Sequence, residues 1–307
     1  MTGPNPEVAA FLTLPAVADR EKTFGAGPWD AARCREIADV LRAGPAPVPS
    51  TVPVHEIRDL DIEGVAVRLY RPTPEPGLPV VVYFHGGGWV FGDLETHDHP
   101  CRVMANAGRA LVLSVDYGLA PEHRFPQPVD QCTAVTRAIL ARAESLGGDP
   151  GRLVLAGGSS GGNLATAVAL RDAALRPRGL VLVYPPLDAT TALPAYTDNA
   201  HGYNLSAAEM RYYWTAYAPD VDPRDPHLSP LHAPDLSGLP PALILTAELD
   251  VLRDDGEEFT RRLATAGVPV DLRRYPGQIH GFLGLRAVSP DADHALLEIG
   301  RWLRGVA

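Results

Sequence analysis

Cysteine is scarce in this chain, which contains only Cys34, Cys101 and Cys132. Three is an odd number and the spacing matches no metal-binding motif, so the sequence predicts neither a disulfide framework nor a zinc site. Thiols without such a role are typical of a reducing compartment. We therefore expect a cytoplasmic protein without a structural metal.

Long hydrophobic runs are also missing, because no segment reaches the roughly 18 apolar residues that a membrane-spanning helix requires. The apolar segment 8–18 has the length of a signal-peptide core, but Glu7 precedes it and no cationic residue does. We interpret this segment as a helix or loop of a lid. The sequence therefore predicts no stable insertion into a membrane.

Basic residues are fewer than acidic residues in this sequence. The chain has 27 Lys and Arg residues against 37 Asp and Glu, a formal net charge of -10 and a pI near 5.4. The field of such a protein repels nucleic acid and anionic membrane surfaces. We expect a small-molecule ligand and no nucleic-acid partner, and we keep a homodimer as an open alternative to a monomer.

The length and composition favour a globular α/β protein. The chain has 307 residues, of which 46% are hydrophobic and 21% charged. This length suits one large domain with a lid better than two modest domains. An antiparallel hairpin at residues 54–60 and 65–70 precedes alternating strands and helices, a pattern that predicts a mostly parallel, eight-stranded sheet with helices on both faces.

The predicted elements divide the chain into four segments. Six core strands follow the hairpin at residues 79–84, 110–115, 153–156, 180–184, 242–247 and 270–275. The predicted helices are residues 29–41, 127–145, 164–174, 206–218, 254–266 and 291–303. A Pro-rich stretch, residues 185–240, is too long for an ordinary loop and predicts a lid. We expect an N-terminal part of a cap (1–50), a first core segment (51–187), a cap insert (188–238) and a second core segment (239–307).

The motif G-x-S-x-G at residues 157–161 lies where a predicted strand turns into a predicted helix. At such a corner, Gly157 and Gly161 are needed because a Cβ would clash with the neighbouring turn. The turn exposes the hydroxyl of Ser159 and directs the amide of Ser160 toward the same space. The motif alone is also compatible with a plain tight turn, but its context favours a serine nucleophile.

An acid and a base are expected at the carboxyl ends of other parallel strands, where ligands bind in open α/β sheets. Asp250 follows the strand that ends at residue 247, and His280 follows the strand that ends at residue 275. The order Ser159, Asp250, His280 is the one expected of an α/β-hydrolase. Asp188 follows an earlier strand and stays an alternative acid. Three other acidic residues compete with Asp250, namely Glu248, Asp254, which is well placed as a helix N-cap, and Asp255.

A glycine-rich loop at residues 86–88 follows the strand that ends at Phe84. Consecutive glycines let the backbone direct amide groups at a reacting carbonyl, although a flexible turn has the same composition. Two amides of this loop and the amide of Ser160 would form an oxyanion hole with three donors.

Five motifs in order resemble the bacterial branch of the hormone-sensitive lipase family of esterases. They are H-G-G-G-W-V-F-G-D (85–93), S-V-D-Y-G-L-A-P-E-H (114–123), G-G-S-S-G-G-N (157–163), L-D-V-L-R-D-D-G (249–256) and I-H-G-F (279–282). The resemblance covers roughly residues 50–305. It implies an α/β-hydrolase core with a helical cap, and cofactor-free hydrolysis of small-molecule esters with short to medium acyl chains.

The resemblance also implies roles for individual residues. Ser159, Asp250 and His280 match the catalytic triad of the family. Gly87, Gly88 and Ser160 match its oxyanion donors, and His85 and Gly86 belong to the supporting loop.

Three positions depart from the family pattern. Gly158 and Ser160 replace the usual Asp and Ala beside the nucleophile, which removes a hydrogen-bond acceptor that supports the turn. Gly118 stands where an arginine is common, so we expect a core ion pair to be missing.

A serine carboxylesterase that works through an acyl-enzyme is the function that these features favour. The alternatives are a non-hydrolytic small-molecule receptor and a dehydratase on the same scaffold, since a fold alone does not define a reaction. The receptor role goes with loss of the catalytic histidine, whereas His280 is present.

Overall fold

The computed structural model of the protein describes residues 3–18, 21–25, 27–44, 46–289 and 291–306. The predicted first segment, 1–50, includes residues 1–2, 19–20, 26 and 45, which lie outside the described residues. Within the described part, eight strands form one sheet in the order β1-β2-β4-β3-β5-β6-β7-β8. The strands are β1 (Glu56–Ile62), β2 (Val65–Arg71), β3 (Leu78–Phe84), β4 (Leu111–Val115), β5 (Gly148–Gly158), β6 (Gly179–Val183), β7 (Ala242–Leu249) and β8 (Val270–Ile279).

The sheet is parallel except at one edge. Strands β1 and β2 form an antiparallel hairpin, with Glu56 opposite Arg71 and Ile62 opposite Val65. Strand β2 is also antiparallel to β4, and every other neighbouring pair is parallel. The predicted eight-stranded, mostly parallel sheet with a hairpin at its edge is therefore confirmed.

Helices cover both faces of this sheet. Their bounds are α1 (Pro6–Leu12), α2 (Pro15–Ala18), α3 (Glu21–Phe24), α4 (Ala31–Arg42), α5 (Asp98–Gly108), α6 (Gln127–Leu146), α7 (Ser160–Arg171), α8 (Ala195–Asp198), α9 (Ala207–Tyr217), α10 (Arg253–Thr265) and α11 (Asp291–Val306).

Strand β3 shows why the core strands are apolar throughout. All seven of its residues are buried. Val80 and Val82 belong to a core with residues of α6, α7 and α10, whereas Val81 and Tyr83 belong to a second core with residues of α5 and α11. Successive side chains of a strand point to opposite faces, so a strand covered on both sides has no polar face.

Helix α5 was missed by the sequence interpretation, which predicted no helix between the strands at residues 79–84 and 110–115. The helix begins at Asp98 and buries Cys101, Met104 and Ala105. These residues pack in the same core as residues of α11, and α5 and α11 lie against each other. Pro100 is compatible with this helix because the amides of a first turn need no intrahelical partner.

The strands near the expected site are longer than predicted. Strand β5 runs to Gly158, β7 to Leu249 and β8 to Ile279, so each ends one residue before Ser159, Asp250 or His280. The prediction of Asp254 as an N-cap is wrong, because α10 begins at Arg253 and its N-cap is Leu252. The Asp254 carboxylate instead accepts the amide hydrogen of Ala195 at 2.8 Å.

Helix α9 matches its prediction closely and has a clear local cause. Ser206 is the N-cap, and it forms a capping box with Glu209 in which each side chain accepts the other residue's backbone amide. The helix buries most of its aromatic side chains. Phe24 of α3 packs edge-on against Tyr212 and Tyr213, so the N-terminal segment and the insert are in contact.

Candidate active site

Ser159 occupies the sharp turn between β5 and α7. Its backbone has φ 53° and ψ -125°, a strained conformation for a residue with a side chain. A Cβ on Gly157 would overlap the backbone of Gly161, and a Cβ on Gly161 would overlap the Phe84 carbonyl. The Ser159 amide donates to the carbonyl of Val183 at 2.8 Å. The end of β5, the start of α7 and the end of β3 therefore approach one another so closely that both positions of the motif require glycine.

A continuous chain of hydrogen bonds joins Ser159, His280 and Asp250. The Ser159 Oγ lies 3.0 Å from His280 Nε2, and His280 Nδ1 lies 2.8 Å from Asp250 Oδ2. Asp250 is fully buried, whereas the His280 side chain is 12% exposed. The carboxylate can only accept, so the ring carries its hydrogen on Nδ1 and presents the lone pair of Nε2 to the serine hydroxyl.

Asp188, the alternative acid, belongs to a different cluster. Its Oδ1 lies 2.9 Å from His232 Nε2, and its Oδ2 accepts from the Thr190 hydroxyl at 2.8 Å. The structure does not bring it to His280. The three other acidic competitors also have backbone partners: Glu248 accepts from Gly277, Asp254 from Ala195, and Asp255 from Leu187 and Asp188.

The glycine loop presents free amide groups beside the serine. Gly87 and Gly88 have φ of 127° and 58°, values that side chains rarely allow. Among the hydrogen bonds of the described residues, none uses the amide of Gly87 or Gly88 as donor. Ser160 is the first residue of α7, where an amide has no intrahelical acceptor. All three amides are thus available to an oxyanion.

The supporting loop is fixed by the side chain of His85. His85 is fully buried, and its Nδ1 donates to the carbonyl of Gly86 at 2.8 Å. Burial lowers the pKa of His85 to about 4, so the ring is neutral near pH 7. The Tyr117 hydroxyl donates to the His85 carbonyl at 2.8 Å and lies 3.5 Å from Ser160 Oγ. The hydroxyl of Ser160 therefore has a partner, Tyr117, that also binds the supporting loop.

The two glycines that depart from the family pattern, Gly158 and Gly118, have structural counterparts. A Cβ on Gly158 would lie 3.5 Å from the Tyr83 hydroxyl and 3.8 Å from the Tyr184 ring, so the missing carboxylate leaves open space between two tyrosines. A Cβ on Gly118 would lie 2.7 Å from the ring of His123. The ring of His123 thus occupies the space next to Gly118. The Gly118 amide donates to the side-chain carbonyl of Gln131.

A cavity of about 250 Å³ opens onto Ser159 and His280. Part of its wall is apolar and is formed by Trp89, Phe91, Leu205, Met210 and Tyr213. Tyr213 of α9 lies directly on the glycine loop, since a Cβ on Gly88 would be 2.5 Å from its ring. A substrate can therefore reach the serine beside a short apolar chamber.

Two asparagines of the insert hold the loops that carry Asp250 and His280. Asn199 is buried and donates to the carbonyl of Asp250 at 2.9 Å. Asn204 donates to the carbonyl of His280 at 3.1 Å. Sequence reasoning missed both residues, because an isolated asparagine in a Pro-rich segment carries no signal of a partner 51 or 76 positions away.

The described ranges of the chain contain neither a candidate metal cluster nor a membrane-spanning helix. There, no three or more His, Cys, Asp and Glu side chains are grouped so that they could hold a metal ion. In the same ranges, every helix is too short or too polar to span a bilayer.

The sheet order and the serine at the turn from β5 to α7 define the class of protein as an α/β-hydrolase. A family model described as alpha/beta hydrolase fold matches residues 81–284. The carboxylesterase NlhH of Mycobacterium tuberculosis is 43% identical to this chain over 239 residues, which is 75% of each protein. The ethyl acetate hydrolase of Pseudomonas putida is 36% identical over 307 residues, 96% of each.

Solved structures agree with these sequence matches. A hyperthermophilic esterase from the archaeon Pyrobaculum calidifontis matches with a TM-score of 0.83 at 33% identity, over 100% of both chains. An ester hydrolase from the metagenome of Lake Arreo has a TM-score of 0.86 at 36% identity over 98% of each chain. The chain belongs to the hormone-sensitive lipase-like family of α/β-hydrolase esterases, as its motifs predicted.

Proposed function

We propose that this protein is a serine carboxylesterase in which Ser159 is the nucleophile, His280 the general base and Asp250 the acid that orients it. The observation that carries the proposal is the unbroken chain of hydrogen bonds from Asp250 through His280 to Ser159 at the mouth of the cavity. Nucleophile, base and orienting acid within hydrogen-bond distance are the requirement for acyl transfer.

The reaction proceeds through an acyl-enzyme. His280 Nε2 takes the hydroxyl proton as Ser159 Oγ attacks the ester carbonyl, and the amides of Gly87, Gly88 and Ser160 stabilise the resulting oxyanion. The protonated His280 then gives its proton to the leaving alcohol. Water enters and gives a proton to His280 as its oxygen attacks the acyl carbon, and His280 then returns this proton to Ser159 Oγ as the carboxylic acid product leaves, which restores the free serine.

The division of the chain into core and cap is part of this proposal. Residues 1–50 and 188–238 form the cap, and residues 51–187 and 239–307 form the core. Stacked rings join the two parts in a way that fits a cap lying on a core. Trp89, next to the glycine loop in the core, lies 4.6 Å from the ring of Tyr217 in the cap at an interplanar angle of 2°. Val8 of α1 packs with Leu249 and Ile279, the residues before the acid and the base.

The substrates that fit this site are esters with short to medium acyl chains. The cavity of about 250 Å³ is smaller than the roughly 300 to 1,000 Å³ of sites that enclose drug-sized ligands. The named relatives act on esters, and ethyl acetate, the substrate in one of their names, has a short acyl chain. These relatives favour hydrolysis over the receptor or dehydratase alternatives.

The proposal extends to the location of the protein and to its assembly. A cytoplasmic location is supported by three free thiols, all of them buried, at Cys34, Cys101 and Cys132. A homodimer is the alternative to a monomer, and light scattering on the purified protein distinguishes the two.

Replacement of Ser159 by Ala tests the proposed nucleophile. We expect hydrolysis of p-nitrophenyl butyrate to fall by about 10⁴- to 10⁶-fold, since triad residues act as a unit. The control is Ser145→Ala on the exposed side of α6, which should keep wild-type turnover. A Ser159→Ala enzyme that retains more than a few per cent of activity would show that another residue is the nucleophile. Rates with acetate through palmitate esters measure the acyl-chain preference.

A further inference from the structure

The glycine loop contacts a histidine that the sequence interpretation left without a role. His97 precedes α5 and lines the cavity beside Ser159. Its Nε2 lies 3.1 Å from the backbone nitrogen of Gly86, which is the donor of this hydrogen bond. The first amide of the glycine loop is therefore engaged by a side chain, in contrast to the amides of Gly87 and Gly88.

The tautomer of His97 follows from its neighbours. An amide can donate only to an unprotonated ring nitrogen, so Nε2 carries the lone pair and Nδ1 the hydrogen. Thr96 Oγ1 lies 3.1 Å from Nδ1, and it donates its own hydrogen to the Asp93 carbonyl at 2.9 Å. Thr96 is thus the acceptor for Nδ1-H, and both ring nitrogens of His97 have a partner.

These contacts leave His97 unsuited to proton transfer. Both nitrogens are occupied by groups of the protein, and burial together with the nearby His85 lowers the pKa of His97 to about 3. The rings of His97 and His85 lie 5.7 Å apart. The ring therefore acts as a neutral hydrogen-bond acceptor at working pH.

We propose that His97 is a positioning residue, which holds the Gly86 amide and thereby places the amides of Gly87 and Gly88 at the oxyanion. The inference rests on the proposed function, because it concerns the oxyanion of the same serine. Gly86 packs directly on the nucleophile turn, since a Cβ there would lie 2.8 Å from the Gly158 carbonyl. A rotation of the Gly86 peptide would therefore move the oxyanion donors relative to Ser159.

His97→Leu and His97→Gln test this inference. Leucine removes the acceptor at similar size, whereas the glutamine carbonyl can still accept from the Gly86 amide. For p-nitrophenyl butyrate we expect His97→Leu to lower kcat by about 10- to 100-fold with KM changed less than about threefold, because misplaced donors weaken mainly the transition state. On a logarithmic scale, His97→Gln should restore at least half of the decrease in kcat that His97→Leu causes. His294→Leu, at an exposed position of α11, is the matched control.

A second measurement separates positioning from a general loss of structure. A trifluoromethyl ketone with a butyl chain forms an oxyanion adduct with the serine, and its inhibition constant should rise in His97→Leu by the same factor as kcat falls. If His97→Leu does not fold, Thr96→Val removes the acceptor of Nδ1-H. Thr96→Val should then lower kcat and ketone affinity together by about threefold or more.

Three results would overturn the inference. The first is a His97→Leu enzyme with kcat within twofold of wild type. The second is a fall in kcat without a loss of ketone affinity. The third is an equal loss of kcat in the Leu and Gln variants that parallels a lowered melting temperature in both. Failure of the proposed function is a different result, since it would appear as wild-type protein without ester turnover or as active Ser159→Ala.

Discussion

Replacement of Asp250 by Asn should remove catalysis through the tautomer of His280. Asp250 Oδ1 accepts the amide hydrogen of Leu252 at 2.9 Å, and Oδ2 accepts from His280 Nδ1. An asparagine must keep its oxygen toward the Leu252 amide, so its NH₂ group faces His280. The ring then carries its hydrogen on Nε2 and cannot take the proton of Ser159.

The expected loss is large because the wrong tautomer disables the base entirely. In a Ser-His-Asp triad of another fold, the same change lowers kcat by about 10⁴, which corresponds to about 5.4 kcal/mol at 1.36 kcal/mol per tenfold. We expect a similar decrease here, with KM nearly unchanged. Asparagine has the size of aspartate and keeps the Leu252 hydrogen bond, so the melting temperature should fall little.

Asp188→Asn is the matched control for this prediction. Asp188 is buried like Asp250, but its carboxylate binds Thr190 and His232. Turnover of p-nitrophenyl butyrate by both variants, with thermal unfolding for each, is the assay. Asp188→Asn should lose less than about tenfold. If Asp188→Asn were the more damaged enzyme, or if Asp250→Asn kept a tenth of wild-type kcat, the assignment of the acid would be refuted.

Two further predictions concern stability and the cap. His85 has its pKa lowered to about 4, from an ordinary 6.5, so the unfolded chain binds a proton there that the folded chain does not, and this residue alone should lower stability by about 3 kcal/mol as pH drops from 6.5 to 4. His97, whose pKa is lowered to about 3, adds to the loss in the same direction. Urea unfolding at pH 7, 5.5 and 4.5 measures this loss. His85→Gln should reduce the slope, and a flat wild-type profile would contradict the reasoning. Deletion of residues 1–35 should raise KM and lower kcat for a butyrate ester and increase dye binding to exposed apolar surface, because Leu249 and Ile279 lose their contact with Val8 and Tyr212 loses its contact with Phe24. Unchanged kinetics and chain-length preference would exclude this segment from the site.

Much of the fold and the outline of the site follow from local features of the sequence. The continuous apolar run before the glycine loop requires a strand covered on both faces, as β3 is. Gly157 is required by sterics within one turn, and this requirement can be read from five consecutive residues, whereas the clash at Gly161 is with the Phe84 carbonyl at the end of β3. The order of Ser159, Asp250 and His280 follows because residues after parallel strands meet at one edge of the sheet.

Other features depend on distances that only the folded chain defines. Asp250 and Asp188 both follow core strands, so the sequence left the acid open, and the 2.8 Å contact between Asp250 and His280 distinguishes them. Helix α5 was missed because its polar first turn hides the buried stripe that faces α11. Asn199, whose contact with the acid loop spans 51 positions, has no local signature.

His97 shows most directly why these contacts escape a reading of the sequence. It lies 11 positions after Gly86, in a stretch whose histidines have the same local context as any polar loop. Whether its ring meets the Gly86 amide depends on the path of residues 87–96 and on the start of α5. A hydrogen bond requires donor and acceptor to be placed within a few tenths of an ångström. A residue pattern specifies the type of each secondary-structure element and the face that it buries. Distances between side chains of different elements are specified only by the packing of the whole chain.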